Sequence, residues 1–184
     1  MGAGGAGEVS APDRLAALTK AALPAPDARQ WRREMERAIT TGHTAAYVAG
    51  TAARLGVEAG GALISAKRLS RAERQEVQKI VAAQLRYLDG FDPAGMSAAQ
   101  VAARAALYAG AVRQTYYATR WGDWDVPDEL MPGNQSCVAN CRCSISIADN
   151  GDGTGTLTRV MGGEHHCSEC PPLAGDHPVK RRAA

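Results

Sequence analysis

All five cysteines of this 184-residue chain fall between Cys137 and Cys170, and no other feature limits its fold so sharply. The tract reads Cys137-x3-Cys141-Arg142-Cys143, then an alternating run from Ser144 to Ala148 and a turn-rich Asp149–Gly155. A second short run, Thr156–Met161, leads to His165-His166-Cys167-x2-Cys170. Two clusters of soft ligands thus flank one predicted β-hairpin. Closing the hairpin brings them together, as a tetrahedral thiolate cage requires. The two-residue period puts Cys141, Cys143, Ile145 and Ile147 on one strand face and Arg142, Ser144 and Ser146 on the other.

Six donors compete for four places: Cys137, Cys141, Cys143, Cys167, Cys170 and His166. All are Cys or His, and no open position or general base stands beside them, so the expected ion is a structural Zn2+. Cys167-x2-Cys170 has a common knuckle spacing, whereas the first cluster is irregular. Two other readings stand beside zinc. A disulfide hairpin is opposed by the odd cysteine count and the lack of a secretory signal. Reduced thiols packed as small hydrophobes are the second. Ile145, Ile147, Leu157 and Val160 are too few to hold two strands together in water, so a staple is expected. A four-thiolate zinc site carries a net negative charge of about two, which Arg142 and Arg159 are placed to offset. The Asp149-Asn-Gly-Asp-Gly153 stretch lacks EF-hand spacing and is expected to be a plain turn.

The remainder reads as helical. One Phe, three Trp and five Tyr leave few large core residues, so helices must pack closely through Ala and Gly. A first helix is predicted over 10–23. A second, starting at Asp27, carries Trp31, Met35, Ala38, Ile39, Ala45, Ala46 and Ala49, with a break expected near Gly42 or Gly56. Ser70 and Glu73 form a capping box for a third, lined by Val77, Ile80, Val81, Leu85 and Leu88. Ser97 and Gln100 cap a fourth, with Val101, Ala105, Tyr108, Val112 and Tyr116 on one face. Its tyrosines are expected in the core, with their hydroxyls reaching the rim. Ala102, Ala106, Ala109 and Gly110 on this helix admit another backbone closely, so another copy of the chain or a partner protein is expected to pack there.

The expected fold is mainly α: a helical body of about four helices with a small C-terminal zinc-stapled β-hairpin. Its parts are a flexible Gly-rich tail (1–9), the body (10–120) and a Trp/Pro-rich connector (121–136). The Cys-rich module (137–178) and a basic tail (179–184) follow. Trp121 and Trp124 are expected to pin the connector to the body.

The net charge of +2 conceals an asymmetry. Residues 27–120 hold fourteen Lys/Arg against eight Asp/Glu, and residues 121–176 hold two against nine. The basic part could make a weak contact with a polyanion such as DNA, beside the plainer reading of interspersed charges such as Arg32-Arg33-Glu34 as a solvated helix face. Apolar runs are too short for a membrane span, and the start lacks a signal peptide, so synthesis in a reducing cytoplasm is expected. No P-loop, dinucleotide fingerprint, His-Glu-x-x-His or nucleophile elbow occurs. Neither an enzyme nor a small-molecule substrate is expected.

The tract Arg104–Tyr117, then Met131-Pro-Gly133, the Asn140-Cys141-Arg142-Cys143 cluster and Gly163-Glu-His-His166-Cys167-x2-Cys170-x2-Leu173 together resemble a known pattern. They are similar to the C-terminal part of tailed-bacteriophage head-morphogenesis or minor head proteins, loosely the Mu F-like group. The resemblance covers about residues 97–178. It implies a non-enzymatic virion component, made in the bacterial host cytoplasm, that meets capsid or portal proteins. The chain is shorter than most proteins of that group. The alternative reading is a zinc-ribbon adaptor that binds nucleic acid through its basic helices.

Overall fold

A computed structural model describes residues 28–56, 69–90, 95–132, 134, 143–162 and 167–183. The helix expected over 10–23 lies outside these residues, as do Cys137, Cys141, Arg142 and His166.

Among the described residues, three helices form the first layer: α1 (Ala28–Arg54), α2 (Arg71–Asp89) and α3 (Ala98–Arg120). Both capping boxes form as their sequences require. Ser70 accepts from the Glu73 N–H while Glu73 accepts from the Ser70 N–H, and Ser97 and Gln100 do the same at the start of α3. Trp31, Met35, Ala38, Ile39 and Ala46 of α1 meet Val77, Val81 and Leu88 of α2 and Val101, Tyr108 and Val112 of α3 in one buried core. Burial holds the Tyr108 hydroxyl above its ordinary pKa, and nearby Arg104 opposes that shift. Arg32 near the start of α1 pairs with Asp89 at the end of α2, so these two helices are antiparallel. His43 faces Thr115 and Arg54 faces Asp123, so α1 and α3 run the same way.

The helix predicted from Asp27 does not break at Gly42. Its pitch continues to Arg54, and Gly56 ends it with a positive φ of 66°. Gly50 has a positive use: a Cβ there would stand 2.6 Å from the Tyr116 carbonyl oxygen and 2.8 Å from the Thr119 Cβ. The missing side chain lets α1 and α3 cross closely. Ala109 and Gly110 are buried within this same packing.

The expected fold class needs correction. The C-terminal part is not a lone hairpin but a curled four-stranded antiparallel sheet, ordered β1-β4-β3-β2, so the chain is mixed α and β. Its strands are β1 (Trp124–Asp125), β2 (Ser144–Asp149), β3 (Thr154–Val160) and β4 (Gly175–Arg181). The connector supplies β1, and the residues expected as a basic tail supply the end of β4. Val179 is buried, Lys180 pairs with Asp125 and Arg181 with Trp124. Two strands bury too little to persist alone, and the extra strands complete the apolar face. β1 reaches only Lys180 and Arg181, so β4 is an edge at Pro178, where the absent N–H breaks no ladder bond on that side.

Trp124, Val126, Leu130, Ile145, Leu157 and Val179 form the sheet core, with Tyr117 and Trp121 from the end of α3 packed against it. The connector's Trp124 therefore anchors to the sheet rather than to the helices. Its indole lies where a Gly155 Cβ would be, at 2.6 Å, so that strand position must be glycine.

Candidate metal centre

The hairpin positions the site. Ser144 to Asp149 pair with Val160 to Gly155 in continuous antiparallel register. The turn between them is held by its own carboxylates. Asp149 accepts from the Gly151 N–H at 2.9 Å and Asp152 from the Thr154 N–H at 2.9 Å, while Gly151 and Gly153 both have φ of 83°. The Gly151 N–H, with Arg181 behind it, holds the Asp149 carboxyl below the usual carboxylate range. This is the plain turn that was expected, with each acid committed to the backbone.

Cys143 ends the inward face that continues through Ile145 and Ile147, and it is buried. The chain then returns along β3, and a turn through Cys167–Cys170 carries the second cluster back over that end. Cys143 and Cys170 place their sulfurs 3.8 Å apart, and Cys167 and Cys170 theirs 3.3 Å apart. Neither pair is bonded as a disulfide. Zn–S bonds of about 2.3 Å make the edge of a tetrahedral thiolate cage about 3.8 Å long. The first pair matches that edge, and the second is shorter by a few tenths of an ångström. Among the described residues no group of three or more His, Cys, Asp or Glu side chains is placed to hold a metal ion by itself. Three of the six expected donors are thus gathered at one end of the hairpin, and the other three lie outside the described residues. Met161 packs on the same thiols, as it would in a purely apolar cluster.

One residue changes the chemistry of this cluster. Counting alternation from Leu157 puts Arg159 on the inward face and Val160 outside, and Val160 is 54% exposed. The expectation that Val160 helps to hold the hairpin is therefore wrong: Arg159 takes the inward place. It is 1% exposed. Its guanidinium donates to the Leu130 carbonyl at 2.6 Å, to the Glu129 carbonyl at 3.2 Å and to the Cys170 sulfur at 3.8 Å. A buried guanidinium is costly to desolvate unless hydrogen bonds and opposite charge surround it. The two carbonyls accept from Nη1, and the Cys170 sulfur lies against Nη2, where a thiolate would supply opposite charge. The sequence signal was there, since Arg159 shares the two-residue period of Leu157.

The Arg159 contacts also tie the cluster to the connector. Leu130 ends a single 3-10 turn, Asp128–Leu130, whose Asp128 carbonyl accepts from the Asn134 side chain at 2.7 Å. Asn134 in turn accepts from Gln114 of α3 at 2.6 Å. A continuous run of polar contacts joins the cysteine end of the sheet to the last helix.

A second concavity lies between α2 and α3. This open groove of about 340 Å3 is lined by Gln84, Tyr87, Arg104, Leu107, Tyr108 and Gln114. It brings no nucleophile up to a base. Among the described residues no helix is long and apolar enough to cross a membrane.

Comparison with protein-family models, with curated proteins and with solved structures finds no match to the chain.

Proposed function

We propose that the chain is a non-enzymatic structural component of a phage or phage-like particle, a minor head or head–tail accessory protein whose C-terminal sheet is stapled by a structural Zn2+. The observation that carries this reading is the convergence of Cys143 with Cys167 and Cys170 across the closed hairpin. These cysteines belong to the same Asn-Cys-Arg-Cys and His-Cys-x2-Cys tract on which the resemblance to minor head proteins rests. Cys143, Cys167 and Cys170 would hold the metal, with the fourth ligand drawn from Cys137, Cys141 or His166. Bound zinc would supply cross-linking rather than chemistry, because a closed thiolate set leaves no position for substrate. Capsid or portal proteins and further copies of the chain are the partners this role requires, with the virion as its location.

Two measurements test it. Elemental analysis of protein purified without added metal should find about one zinc per chain. In a host producing particles, the chain should co-purify with intact particles at a fixed copy number. Absence from particles, together with DNA binding that weakens steeply with salt, would replace this reading with a nucleic-acid adaptor. Metal-free protein with an intact sheet would leave the cysteines as packed thiols.

A further inference from the structure

We infer that Arg159 is a positioning residue of the metal centre: its buried guanidinium supplies the charge that lets three thiolates and a Zn2+ sit together inside the sheet. The inference rests on the zinc reading above and adds a residue and a charge balance that the ligand pattern alone does not contain.

Cys143 and Cys170 are 3% and 1% exposed, so the centre they would form lies largely out of water. Three thiolates around a divalent ion leave one net negative charge, which a neutral imidazole as fourth ligand would not change and a fourth thiolate would raise to two. Desolvating that charge is unfavourable unless an opposite charge lies within contact distance. Arg159, 1% exposed, donates to the Cys170 sulfur from 3.8 Å. Its Nη1 donates to both the Leu130 and Glu129 carbonyls, which fixes the direction of the guanidinium. The β3 register locks the stem, because Arg159 lies opposite Ile145 on one side and Gly175 on the other. The arginine is thus aimed before metal arrives. Lys could carry the charge, but it lacks the planar fork that holds two carbonyls and a sulfur at once. Groups that orient metal ligands from just outside the coordination sphere typically alter metal affinity by about 10–100-fold.

The test is a comparison of metal-loaded and metal-free full-length protein for wild type, Arg159→Met and Arg159→Lys. Zinc affinity is read by competition with a chromophoric chelator, and thermal midpoints are recorded in both states. Arg159→Met should bind zinc about 10–100-fold more weakly, with Arg159→Lys recovering part of the loss. The two midpoints should also respond differently. Without metal, replacing a buried charge by Met should be nearly neutral, whereas the rise in midpoint on adding zinc should shrink. A merely structural arginine would lower both midpoints equally and leave zinc affinity within twofold of wild type, and that result overturns the inference. If wild-type protein binds no zinc at all, this inference falls together with the reading beneath it. If wild type binds one zinc and Arg159→Met binds it equally well, only the inference falls. If Arg159→Met fails to fold, Arg159→Lys decides the matter: wild-type zinc affinity and wild-type midpoints in that variant also count against it.

Discussion

His43 shows how one side chain can carry a pH dependence through an otherwise apolar contact. It is 1% exposed between α1 and α3. Thr115 gives its own hydroxyl proton to the Ala111 carbonyl, so the ring Nδ1 is the donor in its 2.8 Å bond to Thr115. Burial lowers the imidazole pKa from 6.5 to about 4. The unfolded chain therefore takes up the proton first as pH falls. The contribution of this group is whole above about pH 6.5 and is lost as pH falls toward 4, on the order of 3 kcal/mol in all. Urea midpoints at neutral pH and near pH 4.5 should separate more for wild type than for His43→Leu, since the acid loss from carboxylates is common to both. Equal losses would mean that His43 does not titrate across the transition. Gly50 makes a related point at the same crossing: the glycine that weakens α1 as a helix allows α3 to approach it.

Among the elements, β4 is the one whose role changes most on folding. Read as sequence, Pro178-Val-Lys-Arg-Arg182 is a charged end. In the fold it pairs with both β1 and β3, and the Arg181 guanidinium lies 5.2 Å from the Trp124 ring centre and pairs with Asp149. Arg181 also donates its backbone N–H to the Gly153 carbonyl, and Arg182 does the same to the Asp123 carbonyl, each at 2.9 Å. Removing residues 179–184 takes away the buried Val179 and breaks these bonds. The expected loss is about 3 kcal/mol or more, from burial of one Val side chain and two backbone bonds. Thermal melts of the truncated chain should show a clearly lowered midpoint, and an unchanged midpoint would restore these residues to a dangling tail. The solvent-exposed Arg181–Asp149 pair adds little of this by itself.

At the scale of the whole molecule, two cores share one helix. The upper part of α3 lies in the helical core, and Tyr117 and Trp121 at its end pack on the sheet. The Arg120 guanidinium lies 4.7 Å from the Trp121 ring centre and 5.9 Å from that of Tyr116, covering the junction. Arg54 and Asp123, both largely exposed, approach to 3.5 Å beside it and contribute little. Trp121 is therefore the main apolar link between the layers. In Trp121→Ala, amide exchange of Ile145 and Leu157 should speed up about tenfold or more, while that of Ile39 and Val112 stays near wild type. Equal acceleration in both cores would mean that the two unfold as one unit whatever the junction contributes.

What the sequence by itself determined is local. The capping boxes at Ser70 and Ser97, the apolar faces of the three described helices and the turn at Asp149–Gly153 depend on residues a few positions apart, so their chemistry is complete within the segment. The two-residue alternation likewise put Cys143, Ile145 and Ile147 on one face. The tertiary structure alone decided where β4 pairs, because nothing in Asp176–Arg181 specifies a partner until β3 presents an unpaired edge and an apolar face. It also decided that Trp124 joins the sheet, that Gly50 is a close crossing point, and that the inward-facing Arg159 meets Cys170. Each of these depends on contacts between residues distant in sequence. An arginine or a glycine in a sequence carries the local cost of its type, and only the packed neighbours show what offsets that cost.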